Sequence, residues 1–284
     1  MPSAGSVVGG YFIVRRVAVG ATSEVHEGRH TASGAPVAVK VLRPEWCLHV
    51  EVVARFLNEA QVLQRMSHPH LVKALDLGLL PQGAPFMVLD WLPVDLHQVL
   101  TKAGGRLPFE DCKQVILQLA GALDALHAHG LIHRDLKPAN VLMACWAPGA
   151  MAVKLADLGL AKHTAAGGPL PATLPVSTAG SALLGTWDYM APEQWLHSKT
   201  AGPKADVYSL GVLWFQMLTG RLPFVAEQGQ DLMYQHLWKA PPLELLGDQL
   251  QGQIKALLAR MLTKREPLRP TPREILELLS ATTG

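Results

Sequence analysis

His133-Arg134-Asp135-Leu136-Lys137-Pro138-Ala139-Asn140 decides the reading of this chain. One short loop carries a carboxylate, an ammonium and an amide within a few residues of each other. A carboxylate accepts a proton from a hydroxyl nucleophile. A lysine offsets charge on a migrating phosphoryl group, and an asparagine oxygen holds a hard cation such as Mg²⁺.

The loop sits between regions of different periodicity. Just before it, Glu110 to His129 places Val115, Ile116, Leu119, Leu123 and Leu126 at helical spacing, with Gly130 as the stop. Further back, Val50 to Met66 places Val52, Val53, Phe56, Ala60 and Leu63 on one helical face, with Glu59 at its edge, where a charge needs a partner. Tyr11 to Val41 alternates apolar residues with Gly, Ser and Thr and reads as strands joined by turns, Val37-Ala38-Val39-Lys40 among them. Phe86 to Leu89 is another strand, and Asp90 to Val94 reads as a connector. After the loop, Asp206 to Thr219 is apolar nearly all round and predicts a helix buried in a core, followed by helices at Ala256 to Leu262 and Pro272 to Leu279. A strand-rich start and a helix-rich remainder predict an α+β protein of two lobes. The stretch from His163 to Leu184 is rich in Ala, Gly, Pro, Ser and Thr and carries no Asp, Glu, Lys or Arg; it reads as a long loop.

Composition sets the outer bounds. The 284 residues are 49% hydrophobic, enough for a substantial core, and the 17% charged content argues against a disordered chain. A net charge of +2 without a long basic block gives nucleic-acid binding no support. Cys47, Cys112 and Cys145 are scattered and form no CxxC pair, which suggests reduced thiols and a cytoplasmic location. Met1 to Gly10 lacks the basic and apolar regions of a signal peptide, and the apolar run Leu210 to Leu218 is too short to span a bilayer, so no membrane insertion is expected. His127, His129 and His133 are close in sequence, yet residues two apart on a helix point to different sides, so they do not converge as zinc ligands.

From Tyr11 to Leu279 the chain resembles the eukaryotic-type (Hanks-type) Ser/Thr protein kinases, most closely their compact bacterial members. The resemblance implies a two-lobed fold: a small N-terminal lobe of antiparallel sheet with one key helix, and a larger, mainly helical C-terminal lobe. It implies a tail at 1–10 and a kinase domain at 11–280, divided into 11–91 and 92–280. Lys40 looks like the strand lysine that holds the α- and β-phosphates of ATP, with Glu59 as its ion-pair partner. Asp135 would accept the substrate proton and Lys137 would neutralise the transferring group. Asp157, in Asp157-Leu158-Gly159, is similar to the Asp-Phe-Gly aspartate and would bind Mg²⁺, or Mn²⁺ in its place, together with Asn140.

The same resemblance assigns the nucleotide contacts. The loop Val17-Ala18-Val19-Gly20-Ala21-Thr22-Ser23-Glu24-Val25 would cover the phosphates, although Ala18 and Ser23 stand where the family has glycine, which implies modest nucleotide affinity. Leu89 would be the gatekeeper, with Asp90 and Leu92 bonding adenine through their backbone. Val25, Ala38 and Leu142 would sandwich the ring, and Asp95 would reach the ribose. Gly185-Thr186 and Ala191-Pro192-Glu193 match the segment that docks a peptide, with Glu193 paired to Arg269 and Asp206 bonding the catalytic-loop backbone.

The implied activity is transfer of the γ-phosphoryl of ATP to Ser or Thr hydroxyls of proteins. Arg134 and Lys162 are expected to meet a phosphate on a loop holding Thr164, Thr173, Ser177, Thr178 and Ser181. With no room for a sensor domain, control is expected from a regulatory partner, a transient homodimer or the kinase domain itself. Two rivals stand beside this reading. A catalytically dead scaffold draws on the glycine-poor loop and Leu158, but every charged catalytic position is filled. A small-molecule kinase usually lacks both the Ala-Pro-Glu segment and the lysine in the catalytic loop.

Overall fold

The computed structural model describes residues 1–158, 187–197, 201–247, 250 and 252–281. The chain divides into two compact units, Met1–Pro93 and Val94–Gly284. Gly159, Lys162, Thr164, Thr173, Ser177, Thr178, Ser181, Gly185 and Thr186, to which the sequence assigned roles, lie outside the described residues.

The first unit is an antiparallel sheet of β1 (Val7–Val8), β2 (Tyr11–Val19), β3 (Ser23–His30), β4 (Pro36–Leu42), β5 (Ala74–Leu79) and β6 (Pro85–Asp90), ordered β1-β2-β3-β4-β6-β5. Alternation along the strands gives the sheet two faces. Ile13, Val37, Val39, Val41, Phe86 and Val88 fill one of them, closed by Val8, Tyr11, Leu80 and Ala84. Gly78 is required there, because a Cβ would stand 2.6 Å from the Phe86 ring. The helix α1 (Val50–Arg65) carries the buried residues Phe56, Ala60, Val62 and Leu63. Residues 7–8, expected to belong to a tail, instead extend the sheet: Val7 pairs with Phe12 and Val8 with Tyr11, because Val8 has a core to enter.

The second unit is mainly helical: α2 (Leu96–Lys102), α3 (Phe109–Ala128), α4 (Pro192–His197), α5 (Lys204–Thr219), α6 (Gly229–Trp238), α7 (Gly252–Met261) and α8 (Pro272–Ala281), with one hairpin, β7 (Val141–Ala147) and β8 (Ala150–Leu155). As its all-round apolar pattern predicts, α5 is buried on nearly every side and ends at Gly220 in the left-handed conformation. Gly211 lets α5 approach α7 and the residue that follows it, since a Cβ would lie 3.0 Å from Met261 and 3.1 Å from Leu262. The hairpin edge is covered by side chains of α3. Gln118 donates to the Met151 carbonyl at 2.7 Å and accepts from Val153 N–H at 2.8 Å, and Gln114 does the same for Gly149 and Met151. An edge strand satisfied in this way is fixed in place; the hairpin it closes starts at Val141, next to Asn140, and ends at Leu155, two residues before Asp157. A sheet unit with one long helix, followed by a helical unit, is the α+β architecture that the sequence predicts. Among the described residues, no helix is long and apolar enough to cross a membrane.

Candidate active site

In the first unit, strand register puts the candidate nucleotide residues on one face. Val25 pairs with Lys40, and Ala38 with Leu89, so these four side chains project to the side opposite the Val37–Val39–Val41 core. Lys40 is nearly buried, and its Nζ lies 2.8 Å from Glu59 Oε1 on α1. A desolvated ammonium needs such a partner, so the amphipathic pattern that leaves Glu59 at the edge of α1 also supplies the counter-charge. Glu24 differs from its neighbours. Paired with Val19 and Val41, its side chain projects to the other face, near Arg16 at 3.5 Å and His26 at 3.4 Å. The Glu24 side chain therefore points away from the face that carries Val25 and Lys40. Burial lowers the pKa of His26, with Glu24 acting in the opposite sense. Asp90 ends β6, where its N–H donates to the Lys73 carbonyl at 3.1 Å and its carboxylate accepts from Lys73 N–H at 3.2 Å.

In the second unit, the catalytic loop is built around a buried carboxylate. Asp206, in the first turn of α5, is wholly buried. Its Oδ1 accepts from Arg134 N–H at 2.7 Å, and its Oδ2 from His133 N–H at 2.9 Å, with His127 Nε2 at 2.8 Å. The helix N-terminus favours a negative charge there. Those bonds hold Arg134 at a φ of 66°, and Asp157 has a φ of 51°. They are the non-glycine residues with positive φ among those described. Backbone strain of this kind persists only where surrounding contacts impose it. His133 is a second strut. Its Nε2 lies 3.0 Å from the Ala156 carbonyl and its Nδ1 accepts from Asp135 N–H at 3.3 Å, which fixes the Nε2–H tautomer. His127, His129 and His133 bond Asp206, the Ala125 carbonyl and the Ala156 carbonyl respectively.

The candidate reactive groups sit on this frame. Lys137 Nζ reaches Asp135 Oδ1 at 3.1 Å and Oδ2 at 2.9 Å. Asn140 Nδ2 donates to Asp135 Oδ2 at 2.9 Å and to its carbonyl at 2.7 Å. The amide nitrogen is thereby committed to Asp135, and Asn140 Oδ1 is the end left for a cation. Ala156 N–H donates to the Asn140 carbonyl at 2.9 Å, tying the residue before Asp157 to the loop. An amide oxygen and a carboxylate form a hard donor set suited to Mg²⁺ rather than to a thiophilic metal. Leu142 bridges to Asp95. Asp95, assigned to a ribose by the sequence, has a structural task in addition: its Oδ1 caps α2 by accepting from Gln98 N–H at 2.8 Å.

A small cavity lined by Arg134, Asp135, Leu136, Tyr189, Met190 and Ser209 places Tyr189 and Met190, in the Trp187–Ala191 stretch, beside Asp135. That stretch is anchored at several points. Tyr189 donates to Gln216 Oε1 at 2.5 Å, and Ser209 donates to the Tyr189 carbonyl at 2.7 Å. Glu193 is held by Arg269 through paired bonds of 2.5 and 2.8 Å. Arg269 is itself buried and also donates to the carbonyls of Thr263, Lys204 and Lys264. The sequence did not point to the packing behind this pair. His236 bonds Tyr208 at 3.0 Å, and Lys264 stands 4.0 Å over the Phe224 ring. Burial lowers His236 to about 3 and, with Arg269 adding to the effect, Lys264 to about 7. None of these groups carries a motif, and only three-dimensional packing joins them.

Residues 11–279 match the family model described as "Protein kinase domain". The serine/threonine-protein kinase Pkn1 of Myxococcus xanthus is 34% identical over 265 residues, covering 93% of this chain and 37% of that protein. The probable serine/threonine-protein kinase PknB of Bifidobacterium longum is 32% identical, with 84% and 34% covered. For the serine/threonine-protein kinase PknL of Mycobacterium tuberculosis the identity is 33%, with 80% and 53% covered. The chain thus spans from about a third to about half the length of these curated relatives. A catalytic loop strutted by Asp206, a Lys40–Glu59 pair and a match over nearly the whole sequence lead to one conclusion: this chain belongs to the protein kinase domain family.

Proposed function

We propose that the chain is the catalytic domain of a Ser/Thr protein kinase, transferring the γ-phosphoryl of ATP to serine and threonine hydroxyls of proteins. The observation that carries this reading is the Asp135–Lys137–Asn140 cluster, in which two side chains, Lys137 and Asn140, converge on the Asp135 carboxylate at 2.9–3.1 Å. The relatives carry the name serine/threonine-protein kinase, in keeping with a lysine two residues after the catalytic aspartate.

In this reading Asp135 orients the acceptor hydroxyl and takes its proton. Lys137 and Asn140 hold that carboxylate in place, and the Lys137 ammonium offsets charge on the moving phosphoryl group. Lys40, fixed by Glu59, takes the donor phosphates. Val25, Ala38, Leu89 and Leu142 offer apolar surface to adenine, with the backbone of Asp90 and Leu92 as its polar contacts. Asn140 and Asp157 would hold Mg²⁺ or Mn²⁺, which when bound neutralises phosphate oxygens. Most of the rate gain then comes from positioning and electrostatics. Residues 11–91 and 92–280 are proposed as the two lobes, with a cytoplasmic location and control by a partner or a transient homodimer. Incubation with labelled ATP, Mg²⁺ and generic acceptor proteins, followed by phosphoamino-acid analysis, tests the reading. Phosphoserine and phosphothreonine are expected, and no label at all would overturn it.

Autophosphorylation between Ser177 and Ser181 is part of the proposal. Arg134 Nη2 donates to the Ala201 carbonyl at 2.8 Å, while its buried Nε and Nη1 have no hydrogen-bond partner among the described residues. Burial lowers the guanidinium pKa, with Asp206 opposing the shift. A phosphate would satisfy such a cation. Mass spectrometry after incubation with ATP should find the phosphate, and alanine at Ser177, Thr178 and Ser181 together should lower activity.

A further inference from the structure

The covering hairpin lacks two of the glycines its kind relies on, yet its tip is tightly held. Residues 20–22 join β2 to β3 and are largely exposed. All three carbonyls of this tip accept hydrogen bonds from one short stretch after β4. Arg43 Nη1 donates to the Gly20 carbonyl at 3.1 Å and to the Ala21 carbonyl at 3.2 Å. Trp46 Nε1 donates to the Ala21 carbonyl at 3.0 Å, and Arg43 N–H to the Thr22 carbonyl at 2.9 Å. Arg43 is itself clamped by Glu45, whose Oε1 lies 2.5 Å from Nη2. Gly20 N–H closes the tip onto the Ser23 carbonyl at 2.8 Å, and a Cβ at Gly20 would crowd that oxygen at 3.2 Å.

These bonds fix more than the carbonyls. No peptide bond among the described residues is cis. In a trans peptide the C=O and the following N–H point in opposite directions. Drawing the carbonyls of Gly20 and Ala21 toward Arg43 and Trp46 therefore turns the N–H groups of Ala21 and Thr22 the other way. Neither N–H donates to another group among the described residues. Adjacent backbone amides aimed outward from a turn form a cradle for anionic oxygens. Glycine normally permits such a cradle by backbone freedom; here side-chain anchors impose it.

We propose that Arg43 and Trp46 are positioning residues for the polyphosphate of a nucleoside triphosphate, holding the Ala21 and Thr22 amides toward it in place of the absent glycines. The inference rests on the reading of this hairpin as the cover of the nucleotide. It concerns phosphate contacts alone, so it separates from general support of the fold by comparing ligands with and without phosphates.

The test is calorimetric titration of the full chain with ATP plus Mg²⁺ and, separately, with adenosine. The variants are Trp46→Phe, which keeps the ring but removes the indole donor, and Arg43→Met combined with Trp46→Phe. Loss of the three side-chain bonds that orient the cradle should weaken ATP about tenfold in the double variant, and loss of the one from Trp46 about threefold in Trp46→Phe. Adenosine affinity should stay within about twofold, the scatter expected for a contact that is not made. Equal weakening of both ligands would show mere loss of structure and overturn the proposal, as would unchanged ATP affinity. Failure of the wild-type chain to bind either ligand would overturn the nucleotide reading and this inference together. ATP and adenosine binding that persists unaltered in the variants would remove the inference alone.

Discussion

Asp206→Asn is the perturbation whose effect follows most directly from the geometry. The carboxylate is wholly buried and uses both oxygens, Oδ1 for Arg134 N–H and Oδ2 for His133 N–H and His127. Asparagine keeps the shape but replaces one oxygen with an NH₂ donor. The least costly orientation keeps the oxygen where two groups meet it and sets the NH₂ against Arg134 N–H, at a site now separated by 2.7 Å. A charge-assisted bond is lost and a buried donor faces another donor, together about 3 kcal/mol. In a unit spanning Val94–Gly284, that lowers Tm by about 10 °C. Arg134 also loses the contact that holds its φ of 66°, so Asp135, the next residue, shifts. A misplacement on the order of 1 Å costs about 100-fold in turnover. Differential scanning calorimetry and initial-rate kinetics read the two effects. A variant melting within about 2 °C of wild type, with unchanged kcat, would refute the idea that this carboxylate is the strut of the loop.

Lys40→Met and Glu59→Gln should each lower kcat/KM by about 100-fold, and the double variant should be little worse than either one, because both break the same 2.8 Å bridge. Full additivity in the cycle would mean that the pair is not coupled. Asp188 tests the electrostatics of the Trp187–Glu193 segment, since burial alone raises its carboxyl to about 6. Its folded-state value lies above the unfolded one, so the ionised form costs stability: the cost is absent below the unfolded pKa, grows as pH rises through about 6 and is complete above it. Asp188→Asn should therefore stabilise the half-buried site by on the order of 1 kcal/mol at pH 8, a gain shrinking toward zero near pH 4. Thermal melts showing the same difference at both pH values would contradict this.

The parts of the site that were legible in sequence are those in which chemistry and local pattern coincide. Asp135, Lys137 and Asn140 lie within one loop, so their spacing alone brings them together. Lys40 and Glu59 were legible because a β-branched strand carries a cation and an amphipathic helix leaves an anion at the edge of its apolar face. The helix over Phe109–Ala128 stood out for its length and regular spacing. Short elements were not readable. The seven residues of α2 and the six of β5 are too few to show a period. In α6, Tyr234 and Trp238 are largely exposed while His236 is buried, inverting the usual hydropathy signal. The face taken by Glu24 was not legible, because a one-residue step along a strand reverses the face and only the register with Val19 and Val41 reveals it. Arg43 and Trp46 had no signal at all, since their partners are backbone carbonyls far back in the chain, and a carbonyl leaves no mark in a sequence.

The central claim is that Asp135 serves as the proton acceptor of a phosphoryl transfer from ATP to a protein hydroxyl. The most direct measurement compares wild type and Asp135→Asn in one experiment, with transfer followed from labelled ATP and nucleotide affinity measured on the same samples. The account predicts a loss of transfer of about 1,000-fold with ATP affinity nearly unchanged, because the substitution removes the base but no assigned nucleotide contact. Transfer by Asp135→Asn at a rate near that of the wild type would contradict it.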